Sequence, residues 1–414
     1  MRDLHARALD RLALARRDTE RIADLVAATG LSRRAVQEAL REPASDPPAD
    51  TGRPLEASTV TEWKRRLPPP DRDLDHVEAT AETAVKRARW LHETYWLDEA
   101  HLICVGDRDL TSLAVASINP GVQVSVVDVD ERILKTIREI AREAGLNVQT
   151  VFADLRIGPP ASLVGVGDLA FTDPPYTPEG IQLFAARALQ MLRQDDATRV
   201  VISYGYGEAQ AALGYGVQEA LHELRLLTEA LYPQFNRYVG AEAIGSASSL
   251  YVTRPTRRSW AAAEKKGRNS ARIYSGGKAS LESQASLPSL EFGKRREELA
   301  LDLTGHPELA LRVLLAAPAR TLRLKGAPDL PELYERDGDT FTLREDTLLR
   351  GIADRPQAKL ANAWREALIA REPMTKNEAR ARINEHAATR DLLERRLIEL
   401  PRDGVEDLLR ALSG

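Results

Sequence analysis

A single cysteine, Cys104, stands in 414 residues, so neither an intrachain disulfide nor a cysteine-based metal site can form. The seven histidines are scattered without ligand spacing, and no metal is expected. Long apolar runs are missing as well. None approaches the roughly 20 residues that a membrane helix requires. Met1 to Arg17 interleaves Arg and Asp with Ala and Leu, unlike a signal peptide. A cytoplasmic protein with no membrane partner is the resulting expectation. An excess of positive charge is also lacking. Lys and Arg number 58 against 62 Asp and Glu, for a formal net charge of −4, and neighbouring acids balance most Arg-rich stretches. Nucleic-acid binders carry a strongly basic face, so nucleic acid is not the expected partner. A small cationic substrate suits this balance better, provided acidic groups gather at a site. What is present is ordinary: 43% hydrophobic and 29% charged residues fit a globular protein, and the length allows two or three domains.

Residues 1–50 read as a helix-turn-helix (winged-helix-like) domain and linker. Apolar residues from Thr19 to Leu40 fall at helical spacing on both sides of Gly30, and Ser32 is placed to cap a second helix. Such a module reads DNA, with Arg33 and Arg34 on a recognition helix, or serves docking and dimerisation. The few flanking basic residues favour the second reading, and a homodimer is expected. Glu42 to Pro54 is linker-like, and Glu78 to Leu91 reads as an amphipathic helix leading into the next domain.

Residues 51–255 read as a Rossmann-like, methyltransferase-type doubly wound α/β domain. Short apolar runs at Leu102–Val105, Val122–Val127, Val148–Phe152, Leu169–Thr172 and Arg199–Ser203 alternate with helical patterns at Leu110–Ile118, Glu131–Ala144 and Ile181–Leu192. That rhythm predicts a parallel sheet, with ligands beyond the carboxyl ends of its strands. Residues 256–295 read as a polar, mobile linker, and 296–414 as a mainly helical region with a hairpin near Phe341. Arg380 to Leu397 reads there as a solvated Arg/Glu-laced helix.

Four acidic turns fall at the predicted strand ends. The first, Gly106-Asp107-Arg108-Asp109, retains one glycine for close approach to a donor, and Asp107 and Asp109 are placed to attract an ammonium and a sulfonium while repelling a carboxylate. Asp128 and Asp130 follow the second strand, where a ribose hydroxyl pair is usually held. Asp154, after the third, is placed to accept from an adenine amino group or to cap a helix. The most specific element is Thr172-Asp173-Pro174-Pro175-Tyr176-Thr177. An amine nucleophile must be neutral to attack, and an ammonium with pKa near 10 costs roughly 4 kcal/mol to deprotonate at pH 7. A carboxylate at Asp173 accepts that proton, a carbonyl fixed by Pro174 and Pro175 aligns the amine, and the Tyr176 ring packs over substrate or sulfonium. Glu179, Asn236, Tyr238 and Glu242 are candidate walls of an amine-binding groove; the stretch around the last three reads equally as a hairpin with packing glycines.

With these motifs the sequence resembles the branched-chain polyamine synthases, or bis(aminopropyl)spermidine synthases, over roughly Arg11 to Thr253. The matching residues are Gly106 to Ser112, Asp128-Val129-Asp130, Thr172 to Thr177 and Asn236 to Leu250. The resemblance implies aminopropyl transfer from decarboxylated S-adenosylmethionine to a polyamine nitrogen, with Asp173 as the catalytic carboxylate. Arg108 departs from the pattern, standing where that family tends to carry another acid, and the chain beyond Thr256 lies outside it. Three other readings compete. An S-adenosylmethionine-dependent N-methyltransferase acting on nucleic acid also uses Asp-Pro-Pro-Tyr, although the pI near 6.1 opposes it. A 3-amino-3-carboxypropyltransferase would use Arg108 to hold the carboxylate of intact S-adenosylmethionine. A non-catalytic nucleoside or polyamine sensor would have no use for the complete Asp173 motif.

Overall fold

The computed structural model describes residues 6–41, 52–71, 74–156, 158–241, 244–267, 273, 296–304, 310, 313, 319–327, 334–343, 348–353, 355 and 358–413. Most of both predicted linkers therefore lies outside the described residues.

Three short helices open the chain: α1 (Ala6–Ala15), α2 (Ile22–Thr29) and α3 (Arg33–Ala39). Gly30 ends α2 at φ 70°, a left-handed turn that suits a residue without Cβ. The Ser32 hydroxyl accepts from the Ala35 N–H at 3.2 Å and starts α3. Leu12, Leu25 and Val36 form a small core of their own.

The central domain comprises α4 (Ala57–Lys64), β1 (Glu78–Ala79), α5 (Ala81–Thr94), β2 (His101–Val105), α6 (Thr111–Ile118), β3 (Gln123–Asp128), α7 (Glu131–Ala144), β4 (Val148–Phe152), β5 (Leu169–Thr172), α8 (Pro178–Met191), β6 (Arg199–Tyr204), α9 (Ala211–Glu223), β7 (Leu226–Val239), β8 (Ala247–Pro255) and α10 (Ser259–Lys266). Its eight strands lie in the order β1-β7-β8-β6-β5-β2-β3-β4. β4, β3, β2, β5 and β6 are parallel, as the strand-helix rhythm predicts. β2 and β5 are buried throughout, which explains why they read as unbroken apolar runs. The chain winds outward from β2 through β3 to β4, then returns to the other side of β2 as β5. Strand order therefore reverses between β2 and β5, and a cleft opens there at the strands' carboxyl ends.

The sheet is mixed rather than wholly parallel. β8 pairs antiparallel with β6 and β7, and β1 antiparallel with β7. The short β7–β8 connection leaves no room for the crossover that parallel neighbours need. The predicted helix at Glu78 also begins later, because Glu78 and Ala79 pair with β7 and the Thr80 hydroxyl caps α5.

The region from 296 begins with strands beyond the expected hairpin, and helices follow them. β9 (Arg296–Asp302), β10 (Ala319–Lys325), β11 (Tyr334–Asp337) and β12 (Thr340–Leu343) form a second sheet in the order β11-β12-β10-β9. Its hairpin contains Phe341, as anticipated. Alternation decides the fold here: Leu322 and Leu324 are buried on one face of β10, a period of two rather than 3.6. Helices Leu348–Ala353, Leu360–Arg371, Lys376–Glu385 and Arg402–Ser413 follow. The single helix expected over Arg380–Leu397 stops at Glu385 and continues as a 3₁₀ segment at Ala387–Leu392. Its charged side chains Arg380, Arg382, Glu385, Arg390 and Glu394 are exposed, as a solvated face requires, but its end is not. Arg395 and Glu399 are buried, with Arg395 bonded to Gln149 and Glu399 accepting the Ser162 N–H at 2.8 Å. On α7, the guanidinium of Arg138 is held by Asp391, Asp403 and Asp407 at 3.1, 2.6 and 2.7 Å.

Candidate active site

The carboxyl ends of β2, β3, β4 and β5 open into a cavity of about 580 Å³. Gly106 forms its floor at φ 70°, and the ring of Phe184 lies 3.5 Å from where a Cβ would stand. Asp107 follows. Its carboxylate accepts the Thr111 and Ser112 N–H groups at 2.9 and 3.0 Å and caps α6, yet burial pushes it up to about 7 against those bonds. Asp128 accepts the N–H groups of Asp107 and Asp130 at 3.3 and 2.8 Å, and burial pushes it up to about 6. Asp154 faces the cavity with its carboxylate paired to Arg156 at 2.6 Å. It caps no helix among the described residues.

Asp173, at the end of β5, anchors a buried network. Its Oδ2 accepts from Arg87 Nη2 at 2.6 Å and from the Tyr238 hydroxyl at 2.7 Å; its Oδ1 lies 3.0 Å from the Tyr176 hydroxyl. The two hydroxyls are 2.8 Å apart. Arg87, on α5 and 0% exposed, also donates from Nη1 to Asp109 Oδ2 at 2.6 Å and from Nε to Asn236 Oδ1 at 2.8 Å. The Asn236 amide then donates to Ser203 and Ser248. Burial opposes the charge of Arg87, but Asp173 and Asp109 outweigh it and hold the guanidinium firmly protonated. Burial pushes Asp173 up to about 6, with Arg87 restraining the rise. Tyr176 and Tyr238 are raised well above the ordinary phenol range, burial first and the Asp173 charge second. Gly180 packs against the rigid turn: a Cβ on it would stand 2.8 Å from the Pro175 carbonyl.

Gly106, Asp107, Asp109, Asp128, Asp154, Asp173, Pro174, Pro175, Tyr176 and Tyr238 all line this cavity. Other candidates sit elsewhere. Asp130 caps α7 and pairs with its own Arg132; it is not among the lining residues. Asn236 lies beneath the wall and positions Arg87. Glu179 is exposed in the first turn of α8, and Glu242 lies outside the described residues. Nor is the acidic turn a pair of free carboxylates: Asp109 is committed to Arg87 and to the Ala79 N–H at 2.7 Å. No group of three or more His, Cys, Asp and Glu side chains able to hold a metal occurs among the described residues. Nor is any helix among them long and apolar enough to cross a membrane.

The sequence carried no signal for Arg87, one of several polar positions in an amphipathic helix. Arg108 was noticed only as a departure. It lies in the cavity wall beside His76, 7% exposed, with Nη2 donating to the Pro68 carbonyl at 2.8 Å. Burial lowers its basicity. Burial, aided by Arg108, also pushes the His76 imidazole down to about 4 and leaves it neutral at pH 7.

Comparison with known proteins adds four findings. The family described as the branched-chain polyamine synthase A C-terminal domain matches residues 56–271. An uncharacterised protein of Methanocaldococcus jannaschii is 35% identical over 195 residues, 47% of this chain and 48% of that one. The N(4)-bis(aminopropyl)spermidine synthase of Thermococcus kodakarensis is 34% identical over 133 residues, 32% of this chain and 38% of that one. The matches thus span about half or less of these relatives' length. Among solved structures, the Thermus thermophilus branched-chain polyamine synthase in complex with N4-aminopropylspermidine and 5'-methylthioadenosine is 24% identical. It covers 61% of this chain and 88% of that one, with a TM-score of 0.43.

Proposed function

We propose that this chain, which belongs to the branched-chain polyamine synthase A C-terminal domain family, transfers an aminopropyl group from decarboxylated S-adenosylmethionine to a polyamine nitrogen. The observation that carries the reading is Asp173: a cavity-wall carboxylate with its pKa raised to about 6 and its orientation set by Arg87, Tyr238 and Tyr176. The name of the T. kodakarensis relative supports the acceptor class.

The neutral amine attacks the propyl carbon bonded to sulfur. A C–N bond forms, the C–S bond breaks, and its electron pair passes to sulfur, which leaves as neutral methylthioadenosine. The proton released by the attacking nitrogen passes to the Asp173 carboxylate. A base with pKa about 6 is largely ionised at pH 7 and still basic enough to share that proton in the transition state. Asp107 and Asp128 line the cavity and are held by backbone N–H groups, whereas Asp109 and Asp154 are paired with arginines, so the first two suit a cationic donor and its ribose. Pro174 and Pro175 hold the turn, and Tyr176 and Tyr238 complete the acceptor end. We read α1 to α3 as a helix-turn-helix used for docking: Arg34 is exposed but paired with Glu38 at 2.9 Å, which lowers its value as a phosphate contact.

The test is incubation with decarboxylated S-adenosylmethionine and a panel of polyamines, followed by product masses. Each transfer adds one aminopropyl group and releases one methylthioadenosine. Methylated products, or no product with any polyamine, would overturn the reading.

A further inference from the structure

We infer that Arg108 receives a carboxylate carried by a ligand in this cavity, making it a specificity determinant that admits amino-acid-bearing ligands beside their decarboxylated counterparts. The inference rests on the proposed donor cavity.

Two observations carry it. Arg108 is 7% exposed and lines the cavity, yet its Nε and Nη1 have no hydrogen-bond partner among the described residues; only Nη2 is bonded, to the Pro68 carbonyl. Buried guanidinium donors are normally satisfied, because leaving them unpaired forfeits their hydration. Each of these two unpaired N–H donors can give a charge-assisted hydrogen bond to a carboxylate oxygen. The cavity's acids, moreover, do not fill that role. Among the described residues that line the cavity, Arg108 is the one guanidinium beside six Asp side chains. Asp109 and Asp173 are paired with Arg87, and Asp154 with Arg156, while Asp107 and Asp128 accept backbone N–H groups. A carboxylate from outside has two sources: the methionine tail of the donor, or an amino-acid acceptor.

The experiment titrates the full-length protein by calorimetry with two matched pairs. One is S-adenosylmethionine against its decarboxylated form. The other is ornithine against putrescine, on protein loaded with methylthioadenosine. Arg108→Gln should weaken the carboxylate-bearing member of one pair by roughly tenfold or more and leave its partner unchanged; the affected pair names the source. Arg108→Lys should restore part of the loss. Equal ratios for wild type and Arg108→Gln in both pairs overturn the inference. Should Arg108→Gln fail to fold, a wild-type preference of tenfold or more for the decarboxylated member of both pairs overturns it equally. Failure of the wild type to bind methylthioadenosine defeats the donor cavity itself and this inference with it, an outcome distinct from the others.

Discussion

Arg87 Nη2 donates to Asp173 Oδ2 at 2.6 Å from a guanidinium wholly removed from solvent, and its other Nη donates to Asp109 at the same distance. One cation thus compensates two buried carboxylates from different strand ends, and it ties α5 to the carboxyl edges of β2 and β5. Replacing one member of such a set leaves charge buried without a partner. Arg87→Ala is expected to lower stability by about 3–5 kcal/mol in urea titration. Arg87→Lys should fold better, yet move the acid limb of the pH–rate profile upward, since one ammonium does not reproduce the separate Nη donors that Arg87 gives to Asp173 and Asp109. An unmoved limb in the lysine variant would reduce Arg87 to a purely structural role.

Asp173→Asn removes the proton acceptor while preserving shape and most hydrogen bonds. Turnover should fall by on the order of 10²–10⁴, with methylthioadenosine binding retained by calorimetry. Undiminished turnover in the folded variant would remove Asp173 from the mechanism.

The pH dependence of turnover follows from the same residue. Its carboxyl is raised to about 6, and only the ionised form accepts a proton, so kcat should rise with pH through about 6. The Asp173→Asn variant should lack that limb. A wild-type limb near 4 would mean that burial does not perturb this carboxyl.

A separate pH effect concerns stability. Asp107 has its folded value pushed up to about 7 from an ordinary 3.8. A carboxyl raised on folding contributes stability that is complete below the unfolded value and is lost as pH rises through the folded one. Asp107→Asn removes that loss. The variant should therefore gain on the wild type by roughly 1–3 kcal/mol between pH 5 and pH 8, read as the difference in urea midpoints. The double difference cancels other titrating groups, including His76, whose lowered value acts in the opposite direction.

Arg138 ties the last helix to α7 through Asp403 and Asp407, and the preceding 3₁₀ segment through Asp391. Arg138→Ala leaves these three carboxylates facing one another around a buried void. It should make the segment after Glu385 the first site of limited proteolysis, while methylthioadenosine still binds at the opposite, β2–β5 part of the sheet. Unchanged cleavage would mean that apolar contacts alone hold this region.

Much of this architecture was written locally. The parallel strands at Leu102 and Leu169 are legible because strands buried on both faces read as apolar runs, each closed by an acidic turn. Asp173-Pro174-Pro175-Tyr176 was legible because its chemistry is contiguous. β9 and β10 were missed, since a strand of alternating Leu and charge, as in Arg320-Thr321-Leu322-Arg323-Leu324, competes with helical patterns when its sheet partners are distant in sequence. Likewise, nothing near Glu179 says that α8 turns it outward to solvent.

The sequence by itself determined the winding of the central sheet, the place where its strand ends gather, and the carboxylate of Asp173 at one of them, because each follows from periodicity and turn chemistry within a few residues. Only the tertiary structure decided the charge state of that place. Arg87 lies 22 residues from Asp109 and 86 from Asp173, and whether Arg108 faces solvent or cavity depends on how the segment around Pro68 crosses the turn. Electrostatic compensation depends on distance in space and on exclusion of water, and neither is a property of neighbours along the chain.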